Sequence, residues 1–224
     1  STPPIVLDLN QNGITSTKLE NSDAYFDYQN NGRRYKTSWI EKEDSLLGID
    51  INGDGVINNA YELFGTFFKL KDGSYAKDGY EALKEFDTNG DGVIDQNDAN
   101  FEKLVAWQDK NGDGKSEKDE VKSLKDLGIS SISLNISDDI KEENGNKITA
   151  SSTFIKDDKE YVMRDIWFNV SSKQSIAVSD LSDSDEKKIS VVEAFRGAKL
   201  TAFQRSNPYE ILKALKEYEN IKYS

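Results

Sequence analysis

Three short segments of this chain repeat one spacing of oxygen-bearing side chains. They are Asp50-Ile51-Asn52-Gly53-Asp54-Gly55, Asp87-Thr88-Asn89-Gly90-Asp91-Gly92 and Asp109-Lys110-Asn111-Gly112-Asp113-Gly114. Each puts Asp or Asn at positions 1, 3 and 5 of a loop and Gly at position 6. In a tightly wound loop alternate side chains converge on one point, and Gly lets the chain turn sharply. The carbonyl of position 7 then faces the same point, and a carboxylate near position 12 closes the shell. This is the arrangement of an EF-hand loop, and its chemistry is coordination of a hard cation, calcium above all.

The third loop completes the pattern best, with Lys115 at position 7, Glu117 at position 9 and Glu120 at position 12. In the second, Val93, Asp95 and Asp98 take those places, with Asp shorter than Glu for a two-oxygen closure. The first departs most. Val56 supplies position 7 and Asn58 position 9, but position 12 is Tyr61 and the acid falls one later, at Glu62. Either that loop is one residue longer or Glu62 acts through water. By average residue usage the frame occurs by chance on the order of once per hundred chains of this length, so three copies point to ions rather than solvated turns. Two weaker frames lie upstream. Asp8, Asn10 and Asn12 precede Gly13, and Asp27, Gln29 and Asn31 precede Gly32. Each has one carboxylate, and a plain turn also explains them. The expected cofactor is calcium, three ions or more, with no catalytic residue assigned.

Composition agrees with that chemistry. The 224 residues include no Cys and no His, which removes thiol nucleophiles, Ser-His-Asp triads, disulfides and nearly every zinc site. Net charge is −12, so neither a nucleic-acid face nor a basic membrane patch is offered. Residues 50–120 hold seventeen Asp and Glu against eight Lys and no Arg, which is nine of the twelve excess charges. A compact segment so acidic repels itself without counter-charge.

The elements that position these loops are expected to form an α+β chain. Residues 4–9 read as a strand, and residues 23–29 and 33–40 as a hairpin about Asn30-Asn31-Gly32. The spacing of Tyr80, Leu83 and Phe86 predicts a helix. So does that of Phe101, Leu104 and Val105 with Trp107, and that of Val121, Leu124 and Leu127 before Gly128. A small sheet follows from 129–136, 147–156 and 160–170. Residues 171–188 read as a Ser/Asp/Lys-rich linker, and the rest as helical, with a stripe of Ile211, Leu212, Leu215 and Tyr218 behind Pro208. The expected division is a calcium-binding module over 1–170 and a linker with C-terminal helices over 171–224. No run of about 18 apolar residues is present, and the first residue is not Met, as in a piece of a longer parent.

The order of motifs resembles a calcium-binding module of large secreted bacterial RTX-type proteins. It is especially similar to the self-processing module of iron-regulated RTX proteins. The residues that carry the likeness are Val6-Leu7-Asp8-Leu9-Asn10, Phe26-Asp27, Ser38-Trp39-Ile40, the loop at Asp50, Glu62-Leu63-Phe64-Gly65, Gly79-Tyr80-Glu81-Ala82-Leu83, the loop at Asp87, Trp107-Gln108-Asp109 and Leu127-Gly128-Ile129. The resemblance implies a secreted protein that folds on calcium after export, with calcium ions and neighbouring segments of the parent as partners. It implies neither nucleic-acid binding nor membrane insertion. In the self-processing relatives an Asp-Pro bond at the N-terminal edge is cut. The Asp carboxylate attacks its own carbonyl, the prolyl amine leaves, and water or a lysine amine resolves the anhydride. Here Pro3 stands at that Asp position, Thr2 precedes it, and no Asp-Pro pair occurs in the chain.

Overall fold

The structure, a computed structural model, describes residues 3–29 and 33–177. Its strands in chain order are β1 (Ile5–Leu7), β2 (Tyr25–Phe26), β3 (Arg33–Thr37), β4 (Ser45–Ile49), β5 (Val93–Asp95), β6 (Leu104–Trp107), β7 (Val121–Ser123), β8 (Ile129–Ser133), β9 (Ser137–Glu143), β10 (Asn146–Lys156), β11 (Lys159–Asp165) and β12 (Val170–Ala177). A single α-helix, α1 (Gly79–Lys84), and short 3-10 turns complete the described residues. The large sheet runs β5-β8-β10-β11-β1-β4-β6-β7, with β9 added on β10, and curls into half a barrel. A small sheet, β12-β3-β2, stands beside it. Every strand pair is antiparallel.

The fold is therefore mostly β, which corrects the α+β expectation. The reason lies in strands buried on both faces. Ile5 and Leu7 of β1, Leu47 and Ile49 of β4 and Leu104 and Ala106 of β6 enter one core cluster. Val6, Leu46, Val105 and Trp107, the alternate residues, enter a second on the opposite face. Side chains of a strand alternate between faces, so a strand covered on both sides becomes a continuous apolar run. Such a run cannot be told from a buried helix by periodicity. Residues 101–107 were of this kind: Phe101–Lys103 is one 3-10 turn and the remainder is β6. Residues 118–127 likewise give a 3-10 turn, then β7 and turns, not a helix.

Other expectations hold. The strand at 4–9, the strands that became β8, β10 and β11, and α1 lie where the pattern put them. β2 and β3 pair as a hairpin, with Phe26 opposite Tyr35, while its turn at 30–32 lies outside the described residues. The start of the supposed linker forms β12, paired with β3. The C-terminal helices, and Asn31 and Gly32 of the frame at Asp27, lie outside the described residues.

α1 starts at Asp78, whose side chain accepts from the Glu81 N–H at 2.8 Å. Tyr80 and Leu83 then pack into the first cluster. The second cluster centres on aromatic rings: Trp39 meets Trp107 and Phe168, each at 5.5 Å between centroids, and Phe26 at 5.9 Å. Aromatic contacts of this kind add to burial and fix ring orientation. Trp39 is the member that reaches an acidic loop.

Candidate cation-binding loops

All three frames fold the same way. The glycines at positions 4 and 6 have φ of +71° and +80° in the first loop, +71° and +82° in the second, and +71° and +76° in the third. That left-handed region carries no steric cost for Gly. In each loop the N–H of position 6 donates to the carboxylate of position 1: Gly55 to Asp50 at 2.9 Å, Gly92 to Asp87 at 2.9 Å and Gly114 to Asp109 at 2.8 Å. The N–H of position 7 donates to position 5: Val56 to Asp54 at 3.1 Å, Val93 to Asp91 at 3.0 Å and Lys115 to Asp113 at 2.9 Å. The position-5 N–H turns back to the Asn at position 3 in all three, at 3.3 Å.

The closing carboxylate is also positioned alike. Glu120 accepts from the Lys110 N–H at 2.7 Å and the Glu117 N–H at 3.1 Å. Asp98 accepts from the Asp95 N–H at 2.9 Å and the Asn89 N–H at 3.3 Å. In the first loop Glu62 does this, accepting from Ile51 at 2.9 Å and Asn58 at 3.0 Å. The loop is thus one residue longer. Tyr61, at position 12, is buried in the protein, 1% exposed. The flanks differ from an EF-hand: the segments after position 6 are strands and 3-10 turns, as in β5 at Val93–Asp95.

Two carboxylate triads gather closely. Asp50, Asp54 and Glu62 each bring an oxygen within 4.8 Å of the others, and so do Asp87, Asp91 and Asp98. Among the described residues, Asp109, Asp113 and Glu120 form no triad that close. One oxygen of Asp109 is taken by Gly114 and by the Trp39 indole N–H at 2.7 Å. Asn58 turns its amide N–H to Asp54 at 2.9 Å, and Asp95 accepts from the Asn97 N–H at 2.9 Å. Asn111, Lys115 and Glu117 are exposed.

The first triad is electrostatically strained. Burial, with the negative charge of Asp54 added, pushes Asp50 up to about 6. Glu62, wholly buried, rises well above the usual carboxylate range, through burial and then the charges of Asp54 and Asp50. Burial also raises Asp109 and Glu120. One oxygen of Asp50 is buried with no donor at all. Like charges drawn together in a partly dry site are costly unless a cation joins them.

Sequence reasoning missed two supports. Trp39 ties the aromatic cluster to Asp109. Ser116 ties the first loop to the third: its hydroxyl accepts from the Ile57 N–H at 2.6 Å and donates to the Ile57 carbonyl at 3.0 Å. Ile57 and Ser116 are the eighth residues of their loops, a correspondence the shared frame could have revealed.

A curled antiparallel sheet that carries carboxylate loops, without His or Cys, defines a β-scaffold whose acidic clusters are able to hold hard cations. Residues 5–169 match the SPM domain, and the chain belongs to that family. It is similar to the iron-regulated protein FrpA of Neisseria meningitidis serogroup C, 44% identical over 157 residues, which cover 69% of this chain and 14% of that protein. The chain thus spans about one seventh of the length of that relative. Among the described residues no helix is long and apolar enough to cross a membrane.

Proposed function

We propose that this chain is a self-processing module of a larger secreted bacterial protein, and that it folds around calcium held in its acidic loops. The shared closing geometry carries the calcium reading: in three loops a distant carboxylate is fixed by two loop N–H groups, and in the first two it gathers with the Asp of positions 1 and 5. The ligands assigned are Asp50, Asn52, Asp54, the Val56 carbonyl, Asn58 and Glu62; Asp87, Asn89, Asp91, the Val93 carbonyl, Asp95 and Asp98; and Asp109, Asn111, Asp113, the Lys115 carbonyl, Glu117 and Glu120. Calcium is scarce in a bacterial cytosol and plentiful outside, so repulsion keeps the loops open until export. An ion that binds only the folded state stabilises it by RT ln(1 + [L]/Kd), about 4 kcal/mol per site at millimolar calcium and micromolar affinity. Calorimetric titration of the chelator-treated chain, with circular dichroism, is expected to show at least three ions and a gain of structure. Binding of none or one to an already folded chain refutes the reading.

The processing half rests on family membership and on the likeness to FrpA. Pro3 and Pro4 are buried at the head of β1, where the relatives carry the bond that is cut. Substituting Pro3→Asp creates an Asp-Pro pair at that edge. The variant is expected to release a short N-terminal peptide when calcium is added and to stay whole in chelator. Intact variant after calcium-driven folding would mean that this module folds but does not process.

A further inference from the structure

The frame at Asp8 repeats two of the three backbone bonds of the other loops and draws its second buried carboxylate from outside the frame. The Gly13 N–H donates to Asp8 at 2.9 Å and the Asn12 N–H to Asn10 at 3.3 Å, the bonds of positions 6 to 1 and 5 to 3. Gln11 at φ +60° and Gly13 at φ +90° repeat the left-handed backbone of positions 4 and 6. Position 12 is Leu19, and Glu20 at position 13, where the first loop carries its buried Glu62, is exposed. A carboxylate arrives instead from the turn before β4. β1 and β4 pair with Val6 opposite Leu46 and Leu7 opposite Ser45, and Asp8 and Asp44 are the residues next beyond that last pair, one on each segment. The negative charge of Asp8 acts on Asp44, so the two carboxylates are neighbours.

Both side chains are buried, Asp8 at 5% and Asp44 at 1% exposure. Each has one oxygen, Oδ1, buried with no hydrogen-bond donor. Two neighbouring buried carboxylates, each with an orphaned oxygen, are costly to keep out of water unless something positive joins them. Burial raises Asp44 to about 7, and the charges that act on it, Asp8 first and then Glu43 and Glu41, are of its own sign.

We infer that Asp8 and Asp44 are ligands of a further divalent-cation site that clasps β1 to β4, with the exposed Asn10 and Asn12 side-chain oxygens toward solvent. The cation is of the calcium class, because every donor is a hard oxygen. The site extends the calcium reading of the other loops and rests on it. It binds the first strand of the module to the sheet centre, whereas the other loops close later connections.

The test is native mass spectrometry and calcium titration of the chelator-treated full chain beside its Asp44→Asn and Asp50→Asn variants. Asp44→Asn is expected to bind one calcium fewer than the unaltered chain, and Asp50→Asn also one fewer. Asp44→Asn is expected to melt several degrees lower in calcium but no lower in chelator, where it removes a like charge. An unaltered chain that takes no calcium defeats the calcium reading as a whole. If Asp50→Asn loses an ion and Asp44→Asn loses none, this site alone is refuted, and a shared proton joins the pair. Failure of Asp44→Asn to fold at saturating calcium also refutes it, since loss of one ion among several leaves the rest of the fold supported.

Discussion

Replacing Glu62 with alanine is expected to destabilise the chain by about 3–5 kcal/mol, the largest effect of any single change in the loops. Glu62 is wholly buried and accepts two backbone N–H bonds, from Ile51 and Asn58. Its removal orphans both donors beneath a buried surface and leaves a cavity. Unfolding curves in urea measure the loss, which is expected in chelator and is larger with calcium, where the first loop's ion is lost as well. Glu62→Gln separates structure from ion binding. Glutamine keeps the shape and one acceptor but no charge, so most of its loss is expected only with calcium present, as the stabilisation by the first loop's ion disappears. If Gln lowers stability equally in both conditions, Glu62 is a backbone cap and not a ligand.

Glu62 also shows what the residue pattern could and could not convey. A carboxylate near the end of the first loop was legible, because acidic residues are scarce in apolar surroundings such as Tyr61 to Phe64. Its place at position 13 depends on how the chain winds after Gly55, which spacing alone leaves open. The repeated Asp, Asn and Gly fixed the loop backbones because each encodes local bonds: a side chain at 1, 3 or 5 meets an N–H two to five residues on. The flanking elements were less legible. Leu104 to Trp107 is apolar at every position, and only the covering of β6 on both faces by two clusters distinguishes it from a helix. The helix at Tyr80 was legible since its buried positions recur at helical spacing and Asp78 caps it.

Partners distant in sequence were not legible at all. Trp39 lies 70 residues from Asp109, and Ser116 lies 59 from Ile57. Asp44 reads as one acid among several in Glu41-Lys42-Glu43-Asp44 until β4 is set in register against β1. The acidic excess of the middle segment was visible from composition, but its cost is not spread evenly. It concentrates in carboxylates that loop winding draws out of water.

That cost has a pH dependence of definite sign. In chelator the chain is expected to melt at a lower temperature at pH 7.5 than at pH 5. Asp50 has its folded value raised from 3.8 to about 6, mainly by burial, and Glu62, Asp109 and Glu120 are raised for the same first reason. Between the ordinary carboxylate range and about 6 the folded chain therefore holds more protons than the unfolded chain. The slope of unfolding free energy with pH follows protons bound unfolded minus protons bound folded, so here it is negative. Asp139, lowered by its bond to Arg164, works the opposite way, but its window lies below the ordinary range. Calcium reverses the trend. An ion needs the carboxylates ionised, so binding expels their protons and affinity rises with pH. The loaded chain is then expected to keep its melting temperature from pH 5 to 7.5, and titrations in buffers of different ionisation enthalpy should register proton release near pH 5.5. A melting temperature that rises with pH in chelator would show that the buried carboxylates of the first and third loops are ionised at no cost. The repulsion that calcium is proposed to relieve would then be absent.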